Sequence, residues 1–135
     1  MAGYSKRTLV EKLGIKASYK ITFINYPMNY EKLLGPLPKG VIIGLIGEGN
    51  FDIVQIFATE MEELQTIFPI LKKNIRPTGM IWVSWPKGSA KLKTDLNENR
   101  IRELGLHHGV VDVKVIAVDE TWSGLKFVFR LKDRK

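Results

Sequence analysis

Two kinds of hydrophobic periodicity alternate along this chain. Residues 19–26 alternate apolar and polar positions, which is typical of a strand, and residues 51–58 are apolar at nearly every position, which is typical of a strand buried on both faces. Apolar residues then recur at helical spacing from Met61 to Ile75, where Pro69 predicts either a kink or the start of a second helix. The predicted strands are residues 19–26, 41–46, 51–58, 80–85, 110–118 and 125–131.

Residues that favour helix ends and turns separate these segments. Ser5, Thr59 and Asp95 are predicted as N-caps, because their side-chain oxygens can accept hydrogen bonds from the free amides of a first helical turn. Residues 77–79 predict a turn before the fourth strand, and Ser123 with Gly124 predicts the turn between the last two strands. The predicted helices are residues 5–13, residues 28–34, a helix that follows Thr59 and reaches residue 75, and residues 95–104.

The order of these elements predicts the fold class. Strands separated by helices indicate right-handed crossovers between parallel strands, with helices covering both faces of the sheet. The short connection between the last two strands instead predicts an antiparallel hairpin at the C-terminus. Because 135 residues suit one domain, we expect a single α/β domain over residues 1–135 with a mostly parallel sheet.

Composition excludes several functional classes. Hydrophobic residues make up 44% of the chain and charged residues 26%, which are the values of a globular protein. No apolar run approaches the roughly 18 residues of a membrane span, and none follows the charged first residues, so we expect neither a membrane segment nor a signal peptide. The absence of cysteine excludes disulfides and thiolate chemistry and is consistent with a cytoplasmic protein.

The chain carries a net charge of +7, which favours anionic partners such as nucleotides, nucleic acids or acidic proteins. One group of positive charges, Lys87, Lys91 and Lys93, falls in a single predicted loop. Either these residues are solvated surface charges, or they form a nucleic-acid interface, although few aromatic residues are interleaved with them. The second group lies at the C-terminus and comprises Lys126, Arg130, Lys132, Arg134 and Lys135.

The candidate site follows from the predicted sheet. In open parallel sheets, ligands bind beyond the carboxyl ends of the strands, so the residues that follow each strand are the candidates. Aromatic, carboxylate, hydroxyl and lysine groups occur there together, a combination that suits a small anionic ligand or a protein partner. The predicted ligand-binding residues are Asn25, Tyr26, Ser84, Trp85, Lys87, Asp119, Glu120 and Trp122.

Each of these residues also has a purely structural interpretation. Trp85 can close the end of the core, Lys87 can be a solvated loop charge, and Asp119 with Glu120 can satisfy turn amides or pair with Lys87. No histidine lies near Ser84 in the sequence, so a nucleophilic triad is not predicted.

Two other motifs predict no chemistry. The two histidines are adjacent, His107 and His108, at a predicted helix end, and no metal site is expected there. The glycine-containing stretch 44–49 joins two strands without opening a helix, so it predicts a turn and not a phosphate-binding loop.

Several motifs resemble a widespread prokaryotic family known only as a domain of unknown function. The most specific is Ala-Val-Asp-Glu-Thr-Trp-Ser-Gly-Leu-Lys at residues 117–126, and Trp-Val-Ser-Trp-Pro-Lys at residues 82–87 is the next. Weaker matches bring the resemblance to nearly the whole chain, but the family implies no activity. These further matches are residues 12–16, 35–38, 94–96 and 111–115.

The chain is also similar, more loosely, to the C-terminal half of class I S-adenosylmethionine-dependent methyltransferases. The similarity covers residues 51–54, the helix after them, residues 76–83 and the closing helix and hairpin. It implies a shortened Rossmann-like sheet whose last strand inserts antiparallel. In those enzymes a glycine-rich loop after the first strand holds the methionine moiety, whereas residues 25–28 here are Asn-Tyr-Pro-Met. An acidic residue ending their second strand holds the ribose, and the segment between Tyr26 and Phe51 is too short for the usual two βα units.

Three functional hypotheses follow. The first is a non-catalytic or cryptic binding domain of methyltransferase-like shape, without a bound cofactor or metal, whose ligand lies between Trp85 and Trp122. The second is a transferase with an atypical cofactor site and Asp119 or Glu120 as general base. The third is a nucleic-acid-associated module that uses the loop from Lys87 to Lys93 and the basic C-terminus.

Overall fold

A computed structural model describes residues 7–134 of the chain. Helices and strands alternate through most of it, and a short 3₁₀ turn at Leu131–Asp133 follows the last strand. The helices are α1 (Leu9–Leu13), α2 (Tyr30–Leu34), α3 (Met61–Asn74) and α4 (Glu98–His107). The strands are β1 (Lys20–Ile24), β2 (Ile42–Ile43), β3 (Phe51–Phe57), β4 (Ile75–Pro86), β5 (Val110–Ala117) and β6 (Trp122–Phe129).

The six strands of residues 7–134 form one sheet in the order β2-β1-β3-β4-β6-β5. The pairs β1–β2, β1–β3 and β3–β4 are parallel, and β6 is antiparallel to both β4 and β5. This arrangement confirms the predicted mixed α/β fold, with a mostly parallel sheet that ends in an antiparallel hairpin. No helix within residues 7–134 is long and apolar enough to cross a membrane.

A separate hydrophobic core covers each face of the sheet. The first core contains the inner faces of α3 and α4, with Leu64 and Ile101 fully buried. The second contains α1 and α2, with Leu13 and Tyr30 buried against the sheet. The two longer helices therefore cover one face, whereas two five-residue helices cover the other. We call these the α3/α4 face and the α1/α2 face.

The start of α3 differs from the prediction. Thr59 is not the N-cap: Glu60 holds that position without a side-chain hydrogen bond, and Asp95 Oδ1 accepts from the Met61 amide at 2.8 Å. Asp95 thus caps α3 instead of the helix after it, because the free amides of α3 lie within its reach. The predicted α4 cap is therefore also wrong. Asn97 is the N-cap of α4 and accepts from the Arg100 amide at 2.9 Å.

The other helix predictions have mixed outcomes. Pro69 lies inside one continuous α3, so it starts no second helix. Ser5, the predicted first N-cap, lies outside the described residues. Within them Thr8 caps α1, and its side chain and that of Glu11 form a reciprocal capping box.

The turns also differ from the prediction. Ser123 and Gly124 lie inside β6, and residues 118–121 turn the hairpin instead. Residues 77–79 are not a turn but an irregularity within β4, where the pairing with β3 shifts from Phe51–Ile75 to Ile53–Met80. The predicted strand 41–46 is reduced to the two residues of β2.

One glycine shows how tightly α4 packs on the sheet. Gly105 faces the Phe127 ring, and a Cβ atom built on it would lie 2.1 Å from Phe127 Cε1. No real contact is that short, so only glycine allows this approach of helix and strand.

We predict that Gly105→Ala destabilises the protein by about 1–3 kcal/mol, because the added methyl group overpacks the core. The loss outweighs the roughly 1 kcal/mol that alanine gains over glycine within a helix. Denaturant unfolding measures the change. Gly88→Ala is the matched control, since a Cβ there meets no atom within 4 Å. Equal stability of the two variants would contradict the prediction.

Candidate functional site

The carboxyl ends of four strands lie at one edge of the sheet. Strands β1, β3 and β4 are parallel, and β5 runs in the same direction because both β4 and β5 are antiparallel to β6. The segments that contain the predicted site residues therefore follow strands ending at this edge. The structure then divides these residues between the two faces.

The two tryptophans do not form one wall. Trp85 is 7% exposed and belongs to the core of the α3/α4 face, whereas Trp122 packs against the core of the α1/α2 face. The register explains the separation, since Trp122 pairs with Pro86, and Trp85 pairs with Ser123. Neighbouring positions of a strand point to opposite faces. Trp122 instead makes an edge-to-face contact with Phe57, with 5.1 Å between ring centroids.

Ser84 is fully buried in a chain of polar side chains. Its hydroxyl accepts from Gln55 Nε2 at 3.0 Å, and the Tyr30 hydroxyl donates to Gln55 Oε1. All three side chains are buried on the α1/α2 face. The two hydrogen bonds satisfy polar groups that are buried away from water. They also connect α2, β3 and β4 to one another.

Burial raises the pKa of Tyr30 above its ordinary value. The hydrogen bond to Gln55 opposes that rise, and the negative charge of Asp119 adds to it. Tyr30 is therefore a neutral hydrogen-bond donor at physiological pH.

Asn25 directly follows β1 and has a left-handed backbone conformation, with φ of 58°. Asparagine tolerates this region better than other non-glycine residues, so Asn25 makes the sharp turn that glycine makes elsewhere. Its side-chain amide donates to Glu63 Oε1 on α3 at 3.0 Å. Tyr26 follows, is 47% exposed, and lies with its ring centroid 6.4 Å from both Phe23 and Tyr30.

Asp119 stabilises the hairpin turn. Its Oδ1 atom accepts from the amides of Thr121 and Trp122, both at 2.8 Å. The adjacent Glu120 is exposed. Lys87 joins the same region through its backbone, whose amide donates to the Thr121 carbonyl at 2.8 Å. Its half-buried side chain lines an open groove of about 430 Å³ with Trp85 and Lys93.

A cavity of about 390 Å³ lies beside the outer edge of β1. It exists because β2 is short: the last backbone hydrogen bond on this side joins the Gly44 amide to the Ile21 carbonyl, at 2.9 Å. Thr22 and Phe23 beyond that point border the cavity. Its remaining lining residues are Tyr26, Tyr30, Glu31, Leu34, Gly35, Leu37, Ile43, Gly44 and Leu45.

Sequence reasoning identified only Tyr26 among the lining residues of this cavity. The signal was available in the short connection between Tyr26 and Phe51, which leaves room for one small helix and a two-residue strand. A sheet truncated in this way exposes the edge and the aromatic side chains of its next strand. Aromatic walls with a few polar groups, including the exposed Glu31 carboxylate, are typical of small-molecule sites of this volume.

We predict that Asp119→Ala lowers the free energy of unfolding by about 1–2 kcal/mol, because two turn amides lose their acceptor. Asp119→Asn keeps an acceptor oxygen at the same place and is expected to stay close to wild type. Glu120→Ala is the control for a charge lost from the same turn. Denaturant unfolding of the three variants tests the structural role, and equal loss in all three would contradict it.

We further predict that stability falls as pH rises above about 10. The unfolded chain releases the Tyr30 proton there, whereas the raised pKa of the buried hydroxyl keeps it protonated in the folded state. Below that pH both states are protonated and the contribution is constant. Tyr30→Phe should show a shallower loss in unfolding experiments between neutral and alkaline pH. A pH dependence identical to wild type would disprove the assignment.

No protein-family model and no curated protein matches this chain. The resemblance to the family of unknown function therefore gains no support from these comparisons.

Solved structures match over most of the chain. A TehB-like SAM-dependent methyltransferase from Corynebacterium glutamicum has a TM-score of 0.57 and 10% identity, covering 90% of this chain and 85% of that one. A SAM-dependent methyltransferase from Aquifex aeolicus has a TM-score of 0.56 and 12% identity, covering 88% and 86%. The DhpI–SAH complex has a TM-score of 0.61 and 9% identity, covering 88% and 81%. This chain has the Rossmann-like fold of methyltransferases.

Proposed function

We propose that this chain is a transferase that holds an adenosyl-type cofactor in an atypical way, in the cavity beside β1. The observation that carries the proposal is this aromatic-lined cavity at the truncated edge of a methyltransferase-like sheet. Structures of similar fold are described as SAM-dependent methyltransferases, and one of them as a complex with SAH.

The residues around the cavity fit the adenosyl part of such a cofactor. The rings of Phe23, Tyr26 and Tyr30 offer apolar faces for a purine. Glu31 is exposed on α2 and lines the same cavity, and its carboxylate can accept hydrogen bonds from ribose hydroxyls. When bound, S-adenosylmethionine supplies a transferable methyl group.

The methionine part would be held differently from the family pattern. Asn25 takes the place of a glycine-rich loop, and its side-chain amide already bonds to Glu63. The chain leaves the sheet at Gly44, and the next carboxylate, Glu48, accepts from the Leu45 amide and pairs with Lys20. Because Glu48 is already engaged in this way, we assign the ribose contact to Glu31, which lines the cavity. In class I methyltransferases, an acidic residue at the end of the second strand makes that contact.

Ligand binding without catalysis is the second candidate, and the hydrogen bonds of the predicted site favour it. Asp119, one proposed general base, accepts two turn amides through one oxygen. Ser84 and Asn25 are each hydrogen-bonded to another side chain.

For the transferase candidate, Glu120 is the exposed carboxylate beside the hairpin that can act in proton transfer.

We predict saturable binding of S-adenosylmethionine and S-adenosylhomocysteine, measured by calorimetry and by an increase in Tm at millimolar ligand. Glu31→Gln should weaken binding about tenfold, because a charge-assisted hydrogen bond to ribose is lost. Tyr26→Ala should weaken it by a similar factor through lost ring contact. Glu62→Gln removes an equivalent exposed charge from α3, away from the cavity, and should bind like wild type.

The outcomes separate the two candidates. Absence of binding by either ligand, or equal binding by the Glu31→Gln and Glu62→Gln variants, would overturn the proposed site. Binding without transfer of tritium from methyl-labelled S-adenosylmethionine to any component of a cell extract would favour the non-catalytic candidate.

A further inference from the structure

Positive charges meet on the α1/α2 face of the β5–β6 hairpin. Lys114 lies directly opposite Lys126 in the antiparallel register, and Lys126 also pairs with Trp82 of β4. Trp82 points into the core of the α1/α2 face, so its cross-strand neighbour Lys126 projects from the same face. Lys16, just after α1, is close enough to act electrostatically on Lys126.

This cluster has no carboxylate partner within residues 7–134. The ion pairs there involve other cations, and none includes Lys16, Lys114 or Lys126. Burial lowers the pKa of Lys126, and the charges of Lys114 and Lys16 lower it further. Like charges directly opposite each other in a sheet are destabilising, so the fold alone gives no reason for this pair.

Two more cations extend the cluster along the hairpin. Arg134 borders the same shallow groove as Lys126, Val113 and Val128, with a volume of about 290 Å³. Lys12 donates from Nζ to the Ala117 carbonyl at 3.4 Å, at the other end of β5. We call this set the cationic hairpin face; it comprises Lys12, Lys16, Lys114, Lys126 and Arg134.

The surroundings of this face indicate the kind of partner. Trp82 is fully buried beneath it, and the exposed residues that line the groove beside Lys126 include Val113 and Arg134. Four of its five cations are lysines, which bind phosphate oxygens as point charges. The net charge of +7 adds long-range attraction for a polyanion.

We propose that the cationic hairpin face binds the phosphate backbone of a single-stranded nucleic acid without base preference. It differs from the basic loop Lys87–Lys93, and it is independent of the proposed transferase activity. If Lys16, Lys114 and Lys126 each contact one phosphate group, the affinity falls as salt concentration rises. The expected slope of log K against log salt concentration is about −2.

Fluorescence anisotropy with labelled oligo(U) and oligo(dT) of about 16 nucleotides tests the proposal. We expect both to bind, between about 50 and 200 mM salt, with that slope. The double variant Lys114→Gln/Lys126→Gln should lose at least about tenfold in affinity, with a slope shallower by about 1.4. It should remain folded, with an unchanged or higher Tm, because a like-charge repulsion is removed.

Two further variants decide where binding occurs. Lys32→Gln/Lys39→Gln removes two exposed lysines from α2 and the loop after it, and should stay within about twofold of wild type. If Lys91→Gln/Lys93→Gln loses more affinity than the hairpin variant, the basic loop is the site and the proposal is wrong. If poly-glutamate binds as tightly as the oligonucleotides and loses the same affinity in the Lys114→Gln/Lys126→Gln variant, the partner of this face is an acidic protein and the proposal is wrong. Absence of oligonucleotide binding at the lower salt concentration would also overturn it.

Discussion

The burial of β3 on both faces is the constraint on which the rest of the structure depends. Ile53 and Phe57 point into the core of the α1/α2 face, and Val54 and Ile56 point into the opposite core. Each such side chain contributes roughly 1.5–3 kcal/mol by leaving water. A strand with two apolar faces can only lie inside a sheet, so β1 and β4 must flank it and helices must cover both sides. Gln55 is the fully buried polar side chain of this strand, and its hydrogen bonds keep its burial from being destabilising.

The truncation of β2 gives the sheet its candidate site. Gly44 lies where the chain leaves β2, and a Cβ there would crowd the Phe51 ring at 3.0 Å. The chain then returns at once to the start of β3. β2 pairs with Lys20 and Ile21 and does not extend alongside Thr22 and Phe23. The space beside these two residues is closed only partly by α2. The cavity is therefore a direct consequence of the short segment between β1 and β3.

The sequence was informative where local pattern decides structure. The apolar run of β3, the alternation of strands and helices and the final hairpin were predictable, because they depend on periodicity and connection length. Contacts between distant segments were not. Asp95 caps α3 across 34 residues of sequence, so neither its own segment nor Thr59 reveals the partner.

The candidate site failed to be predictable for a related reason. The hairpin turn lies at residues 118–121 and not at Ser123 and Gly124, and this difference sets the register of β6 against β4. A shift of one residue moves a side chain to the other face of a sheet. The expected ligand site between Trp85 and Trp122 took no account of that register, which places the two side chains on opposite faces. The carboxyl edge itself was predictable from topology, whereas the faces of its residues were not.

The distribution of charge partners gives a last argument about the hairpin. The aspartates of the described chain have structural partners: Asp52 accepts from the Lys20 amide, Asp112 pairs with Arg102, and Asp133 pairs with Arg130. The aspartates are thus engaged within the fold, whereas Lys114 and Lys126 take part in none of the ion pairs of residues 7–134. These two lysines hold part of the chain's excess of positive charge at a cross-strand position where uncharged residues would pack without repulsion. A fold that neutralises its aspartates but retains this opposed lysine pair is arranged for an anion from outside the chain.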